Sequence, residues 1–294
     1  MISHNVDNIF NRSGLASLSD LKSPVYQSIF AQLEKEQEAF LDKETDFRSE
    51  EYKWPHDPLH QWSRVWEYPY VYYHFANYLK TLSQNPPPII ADIGSGVTFF
   101  PFSLAKLGYQ VVCTDIDPIC KKDLSSAIKS VSHSPGRVEF RLINNSKLPL
   151  EDGECNAVYC ISVLEHIPEF ENTLTEMARV LKPGGPCLLT CDMDMNPLGN
   201  TQFNVAQYER LLSVIGEKFC LFWPDQTIHP VNVLTTKNSL YPILAHPLGF
   251  LRNGYRILKQ RILKPLLGRK PDNVSTTHLC VLGLALKRKG DIQC

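Results

Sequence analysis

Two glycines and an acid lie at the ends of consecutive apolar runs near the middle of this 294-residue chain. The first run, 89–93, leads into Gly94 and Gly96, and the second run, 110–115, ends in Asp115. Glycines in such a loop let backbone N–H groups approach a ligand, and a carboxylate after the next strand suits a ribose diol. The spacing therefore predicts a site for a nucleotide-type cofactor.

The residue three positions after Gly96 separates two kinds of cofactor. In the dinucleotide-binding pattern G-x-G-x-x-G, the last glycine lets a helix pack closely on the strand beneath a pyrophosphate. Phe99 occupies that position here. The bulky ring argues against a nicotinamide dinucleotide, and so against an oxidoreductase, although the first strand, the two glycines and Asp115 alone would permit one.

The elements that must position these residues follow from hydrophobic periodicity. Predicted strands lie at 89–93, 110–115, 138–143, 156–162, 186–191 and 277–286, and predicted helices at 25–41, 98–107, 118–130, 168–181 and 205–215. The alternation of strands and helices indicates a mostly parallel sheet with helices on both faces. In such a sheet the carboxyl ends of the strands edge the ligand crevice.

Five motifs in this framework resemble the large family of S-adenosylmethionine-dependent methyltransferases with a Rossmann-like core. They read Ala91-Asp-Ile-Gly-Ser-Gly96, Asp115-Ile-Asp-Pro118, Leu148-Pro-Leu-Glu-Asp-Gly153, Val163-Leu-Glu-His-Ile167 and Leu181-Lys-Pro-Gly-Gly185. The resemblance implies an α/β fold with a Rossmann-like, doubly wound, mostly parallel seven-stranded sheet. It also implies S-adenosyl-L-methionine as cofactor and S-adenosyl-L-homocysteine as its product.

The same resemblance implies a set of cofactor-binding residues in and after the strand ends. They are Asp92, Gly94, Ser95, Gly96, Asp115, Ile116, Asn144, Asn145 and Ser162. Asn144 departs from the family pattern, because relatives usually carry an acid there that accepts a hydrogen bond from the adenine amino group. An asparagine oxygen can accept the same bond without charge.

His166 is the predicted catalytic residue. Methyl transfer from a sulfonium asks mainly for alignment and exclusion of water, with a base only where the nucleophile carries a proton. A near-neutral imidazole at the crevice edge can take a hydroxyl proton. The alternative is that His166 only caps and orients the loop after the fourth core strand. Glu165 and His166 offer fewer ligands than an octahedral cation wants, so no metal is predicted.

An aromatic-rich segment precedes the core. Residues 1–85 are predicted to form an N-terminal arm and a helical cap, and the arm is expected to be loose up to about residue 23. Residues 86–294 are predicted to form the core, with an insertion at about 224–276. Most of the rings are expected to pack the cap onto the sheet. Some are predicted to line the acceptor pocket, within a lid that runs from 62 to 73, and the candidates for substrate binding are Trp62, Arg64, Trp66, Glu67, Tyr68, Tyr70 and Tyr73.

Composition limits the partners and the location of the chain. A formal net charge of −1 gives no overall attraction to nucleic acid, so a small-molecule partner is expected. The nine cysteines form no C-x-x-C pair, and no apolar run is long enough to span a bilayer. The polar start lacks the charged and then apolar order of a secretory signal. Together these features predict a cytoplasmic location.

The basic stretch 251–270 has the alternation of basic and apolar residues with which a segment lies on an anionic membrane. Gly254 and Pro265 interrupt it, which favours a solvated face or a wall of the acceptor pocket instead. The sequence does not indicate an oligomeric state.

The sequence thus predicts an S-adenosylmethionine-dependent methyltransferase that acts on a small molecule, with O-methylation favoured, in a sugar or secondary-metabolite pathway. A small-molecule N-methyltransferase is the nearest alternative, because the aromatic groups before the core could form a cage for a cationic amine. A methyltransferase-like binding protein without turnover also stays open. Asn144 supports that reading, whereas Asp92, Gly94, Gly96 and Asp115 oppose it.

Overall fold

Strands and helices alternate through most of the computed structural model, which describes residues 9–82, 85–195, 203–240 and 278–290. The strands are β1 (Gly14–Leu15), β2 (Ile89–Ile93), β3 (Gln110–Asp115), β4 (Arg137–Leu142), β5 (Ala157–Ile161), β6 (Pro186–Asp194), β7 (Phe219–Leu221) and β8 (Leu279–Arg288). The helices are α1 (Pro24–Leu41), α2 (Arg64–Tyr78), α3 (Phe100–Lys106), α4 (Pro118–Ser130), α5 (Phe170–Val180) and α6 (Val205–Lys218).

All described strands join one sheet in the order β1-β8-β6-β5-β2-β3-β4, and β7 also pairs with β8. The five strands from β4 to β6 run parallel, while β8 is antiparallel to β6, β7 and β1. The predicted Rossmann-like, mostly parallel sheet is therefore confirmed. Within the described residues the sheet has eight strands rather than seven, because Gly14 pairs with Gly283 and Leu15 with Leu282.

Helices cover both faces of the sheet, so its central strands are apolar on both sides. One core cluster gathers residues of α1 to α4 against the sheet, and the other gathers residues of α5 and α6. In β2, Ile90 belongs to the first cluster and Ala91 and Ile93 to the second. Burial on both faces explains why this strand reads as a continuous apolar run.

Helix α2 lies against β8 through two large rings. Trp66 and Tyr70 are fully buried and stacked on each other, with ring centroids 4.5 Å apart. A Cβ at Gly283 of β8 would come within 2.5 Å of the Trp66 ring. Glycine at this position therefore lets the indole approach the strand closely.

The predicted loose arm is wrong for residues 9–22. The Arg12 guanidinium forms a buried ion pair of 2.5 Å with Asp20, and the Trp66 indole N–H donates to the same carboxylate at 2.7 Å. The Tyr70 hydroxyl donates to the Arg12 carbonyl at 2.9 Å, and Phe10 is fully buried. The polar residues that suggested disorder are instead hydrogen-bond partners of the cap.

Much of the insertion at 224–276 and the whole basic stretch 251–270 lie outside the described residues. Within the part of the chain that the structure describes, no helix combines the length and apolar character needed to cross a bilayer.

Candidate functional site

A cavity of about 1080 Å³ opens at the carboxyl ends of the parallel strands. At one end it is lined by the glycine loop and Asp115, and at the other by Arg64, His166 and Asp192. Pockets for a single drug-sized ligand measure roughly 300–1,000 Å³. This cavity is therefore large enough for a cofactor and a small acceptor side by side.

The glycine loop after β2 adopts backbone conformations that would be strained for residues other than glycine. Gly94 has φ +72° and Gly96 has φ +54°. The N–H groups of Gly94 and Ser95 both donate to the Thr114 carbonyl, at 2.9 and 3.0 Å. A Cβ at Gly94 would lie 2.7 Å from both methyl groups of Val163. The loop thus needs glycine both for its left-handed conformation and for the close approach of the β5 loop.

The Asp115 carboxylate is held at the cavity wall by two backbone donors. Its Oδ2 accepts from the Gly96 N–H and its Oδ1 from the Asp117 N–H, each at 3.0 Å. An ionised carboxylate has further acceptor capacity on both oxygens. The geometry fits a vicinal ribose diol, since the two oxygens are fixed side by side and the glycine loop adjoins them.

The other predicted cofactor residues divide into those that line the cavity and one that does not. Asp92, Ser95, Ile116, Asn145 and Ser162 line it, and Ile116 is 76% exposed there. Burial, with the charge of Asp115, raises the pKa of Asp92 to about 8. Asn144 is exposed and is not part of the cavity wall. The predicted adenine contact of Asn144 therefore lacks structural support.

The segment between α1 and α2 contacts the cofactor end, which the sequence reasoning missed. The Tyr52 hydroxyl accepts from the Val97 N–H at 3.0 Å, and the Arg48 guanidinium donates to the Val97 carbonyl at 3.0 Å. Trp54 lines the same cavity although 58% of it is exposed. The density of rings in the sequence marked this segment, but no spacing distinguished these residues from packing aromatics.

The acceptor end brings together charged groups from three elements. Glu67 of α2 is fully buried, where it is ion-paired with Arg64 and accepts from the Ser162 hydroxyl at 2.7 Å. Ser162 has φ +45°, a strained conformation of the kind that clusters at functional sites. Glu165 Oε1 accepts from the Asp192 N–H at 3.0 Å. Burial raises the pKa of Glu165 to about 7.

His166 lies in the wall of this end. Burial, reinforced by the Arg64 charge, lowers the pKa of its imidazole below 6.5. The ring is therefore mostly neutral at pH 7 and able to accept a proton.

The predicted acceptor residues fall into two groups. Trp62, Arg64 and Tyr68 line the cavity, whereas Glu67 lies behind Arg64. Trp66, Tyr70 and Tyr73 are not in the wall. The first two pack on β8, and the Tyr73 hydroxyl donates to Asn11 at 3.1 Å. The predicted lid is thus wrong for these three rings, because α2 turns them toward the N-terminal segment and β8.

Among the described residues, no group of three or more His, Cys, Asp and Glu side chains is arranged to hold a metal ion.

Comparisons with known proteins match the core. Residues 91–189 match the protein family described as "Methyltransferase domain". The chain is 30% identical over 133 residues to a ubiquinone biosynthesis O-methyltransferase of Dechloromonas aromatica, covering 45% of this chain and 51% of that protein. It is 26% identical over 129 residues to an uncharacterized methyltransferase of Mycobacterium bovis, covering 43% and 49%. The chain thus spans about half the length of the curated relatives that it matches.

A solved structure extends the similarity over the whole fold. The crystal structure of the [4+2]-cyclase SpnF matches with a TM-score of 0.53 at 14% identity, covering 95% of this chain and 99% of that one. At this identity the likeness concerns the fold alone.

The strand order, the glycine loop and the family match together define a class I methyltransferase core. Residues 91–189 form a methyltransferase domain of the S-adenosylmethionine-dependent family, as the five motifs predicted, and S-adenosylmethionine is the cofactor of this family.

Proposed function

We propose that the chain transfers the methyl group of S-adenosylmethionine to a hydroxyl group of a small molecule, in a sugar or secondary-metabolite pathway. The observation that carries this proposal is one continuous cavity, with the Asp115 carboxylate at one end and the His166 imidazole, whose pKa burial lowers, at the other. The name of the Dechloromonas relative, an O-methyltransferase, supports oxygen as the acceptor atom.

The bound cofactor supplies an electrophilic methyl group on a sulfonium. The chain's own residues would bind and orient the reactants: Asp115 would hold the ribose hydroxyls, Ile116 would pack on the adenine and the glycine loop would leave room for the amino acid end. Tyr68, Phe100 and Tyr159 line the cavity with aromatic surface that excludes water. His166 would take the proton that the acceptor hydroxyl loses when its oxygen displaces the sulfur, and the electrons of the sulfur–methyl bond would leave with S-adenosylhomocysteine.

Two measurements test the proposal. Calorimetry is expected to show micromolar binding of S-adenosylhomocysteine and none of NADH. Incubation with S-adenosylmethionine that carries a deuterated methyl group, followed by mass spectrometry of candidate acceptors, is expected to give O-linked label. Binding of NADH in preference to S-adenosylhomocysteine would overturn the methyltransferase reading, and label on nitrogen would establish the N-methyltransferase alternative. Cofactor binding without any label in a broad acceptor set would favour a binding protein without turnover.

We also propose a division of the chain into a cap, residues 1–85, and a core, residues 86–294. The acceptor is proposed to be a small molecule rather than a nucleic acid, which the net charge of −1 supports.

A cytoplasmic location is proposed as well. Seven buried free cysteines among the described residues support it. The disulfide bond of Cys220 argues against it. Alkylation of native extracts decides between the two: modification of Cys220 would support the cytoplasm, and protection of Cys220 would support an oxidising compartment.

A further inference from the structure

We infer that Asp192, with Glu165 beside it, forms a subsite for a cationic nitrogen on the acceptor. This inference rests on the proposed function and names a chemical feature of its substrate. It concerns the end of the cavity that the cofactor residues leave free.

The first support is an unpartnered carboxylate in the cavity wall. Asp192 lies near the end of β6, lines the cavity and is only 8% exposed. Ser63 hydrogen-bonds to its carboxylate, but the buried Oδ1 has no hydrogen-bond partner among the described residues. Oε2 of Glu165, which lies behind the cavity wall, is likewise buried without a partner among the described residues. Buried carboxylate oxygens in a folded protein normally have partners, so the Asp192 carboxylate in the wall keeps hydrogen-bonding capacity that a ligand could satisfy.

The second support is the balance of charge. Arg64 faces three buried carboxylates, those of Glu67, Glu165 and Asp192, and it is already ion-paired with Glu67. Glu165 and Asp192 therefore have no cation that is paired with them alone. Burying an unpaired charge is costly, and one partner with a positive charge would remove that cost.

In the absence of such a partner the cluster compensates by holding protons. Burial raises the pKa of Glu165 to about 7, and burial together with Glu67 and Glu165 raises the pKa of Asp192 well above its usual range. From β8, Cys280 faces the same region, and burial raises the pKa of its thiol to about 12. The thiols of Cys160 and Cys191 face the carboxylates from β5 and β6. None of these thiols brings a positive charge, so among the described residues Arg64 is the cation that opposes the carboxylates.

The walls favour an organic cation over a metal ion. The described carboxylates lack the arrangement of a metal site. Trp62, Tyr68 and Tyr159 line the cavity together with Asp192. Aromatic faces attract alkylammonium groups, and a nearby carboxylate adds an ion pair. The acceptor is therefore an amine-bearing molecule with an apolar body.

Three probes that share a benzyl group test whether the subsite prefers a cationic nitrogen to a neutral group. We would titrate benzylamine, benzyl alcohol and benzyl methyl ether into the full chain loaded with S-adenosylhomocysteine. Benzylamine is expected to bind about tenfold more tightly than benzyl alcohol, which corresponds to about 1.4 kcal/mol. Its affinity should rise from about pH 6 to about pH 8, because docking of the ammonium displaces the proton that the carboxyl pair holds.

Substitution of the carboxylate tests the assignment directly. Asp192→Asn keeps the shape of the side chain and is expected to abolish the preference for benzylamine, with unchanged affinity for S-adenosylhomocysteine. Asp194→Asn, on the same strand and outside the cavity wall, is the matched control and should keep the preference. If Asp192→Asn fails to fold, Glu165→Gln takes its place and should reduce the preference.

Equal affinities for benzylamine and benzyl alcohol, or a preference that survives both substitutions, would overturn the subsite. Neither result touches the proposed function, which requires only that the wild-type chain bind S-adenosylhomocysteine and transfer a methyl group. Failure of the wild-type chain to bind that cofactor would instead remove the proposed function, and the subsite with it.

Discussion

Gly94→Ala should lower the free energy of unfolding through two contributions that can be measured separately. The first is backbone strain, because Gly94 has φ +72° and the left-handed region costs a residue with a Cβ about 1–2 kcal/mol. The second is steric, because the new Cβ would lie 2.7 Å from both Val163 methyl groups. Overpacking of this kind costs about 1–3 kcal/mol. The expected total loss of unfolding free energy is about 2–5 kcal/mol.

Gly153 provides a matched control for the first contribution. Its φ is +65°, and a Cβ there would meet nothing within 4 Å. Gly153→Ala should therefore cost only the backbone strain, about 1–2 kcal/mol. The affinity for S-adenosylhomocysteine should be unchanged in Gly153→Ala but fall by at least about tenfold in Gly94→Ala, because a shift of the loop moves the Gly96 N–H that holds the Asp115 carboxylate in place.

Val163→Ala isolates the steric contribution. In a double-mutant cycle with Gly94→Ala, removal of the methyl groups should restore about 1–3 kcal/mol of stability, and part of the cofactor affinity with it. Urea denaturation would give the stabilities and calorimetry the affinities. The reasoning would be refuted if Gly94→Ala and Gly153→Ala behaved alike in both measurements, or if the cycle showed no coupling.

Further outcomes follow from other side chains of the site and the cap. Asp115→Ala should weaken S-adenosylhomocysteine binding by about 1.5–3 kcal/mol, and unchanged affinity in a folded variant would contradict the ribose assignment. His166→Ala should lower the rate most at neutral to alkaline pH; the wild-type advantage should shrink in acid, where the imidazole is protonated, and a pH–rate profile with a constant ratio would exclude a base. Asn145→Leu should weaken cofactor binding more than Asn144→Leu, because only the former residue lines the cavity; calorimetry giving the reverse order would return the adenine to Asn144. Trp66→Phe should lower the unfolding free energy by about 1–3 kcal/mol without changing cofactor affinity, since it removes a buried donor to a carboxylate, and a selective loss of turnover would restore the ring to the acceptor site.

The parts of the fold set by local pattern were predictable from the sequence. Strands β2 and β3 and helix α4 begin and end as expected, because short apolar runs, a proline at a helix start and glycines after strands act over a few residues. The glycine loop and Asp115 were found for the same reason.

The rest depends on contacts between distant parts of the chain. Gly14 and Leu15 form a strand only because β8 offers an edge, and nothing in their own neighbourhood indicates it. The carboxylates of Glu67, Glu165 and Asp192 come from an α-helix, a short 3-10 helix and a strand, so no spacing could group them. The helical period of α2 likewise did not tell which of its rings would face the cavity and which would face β8.

The pairing of β1 and α2 with β8 has a consequence for synthesis of the chain on the ribosome. Residues 10–20 and the cap emerge early, yet the strand against which they pack is the C-terminal strand of the described residues. Leu279, at the start of that strand, also lines the cavity. Until β8 has been made, Trp66 lacks the strand surface at Gly283 that it covers, and the cavity lacks part of its wall. The nascent cap therefore exposes aromatic surface until synthesis of β8, and such transiently exposed surface favours aggregation.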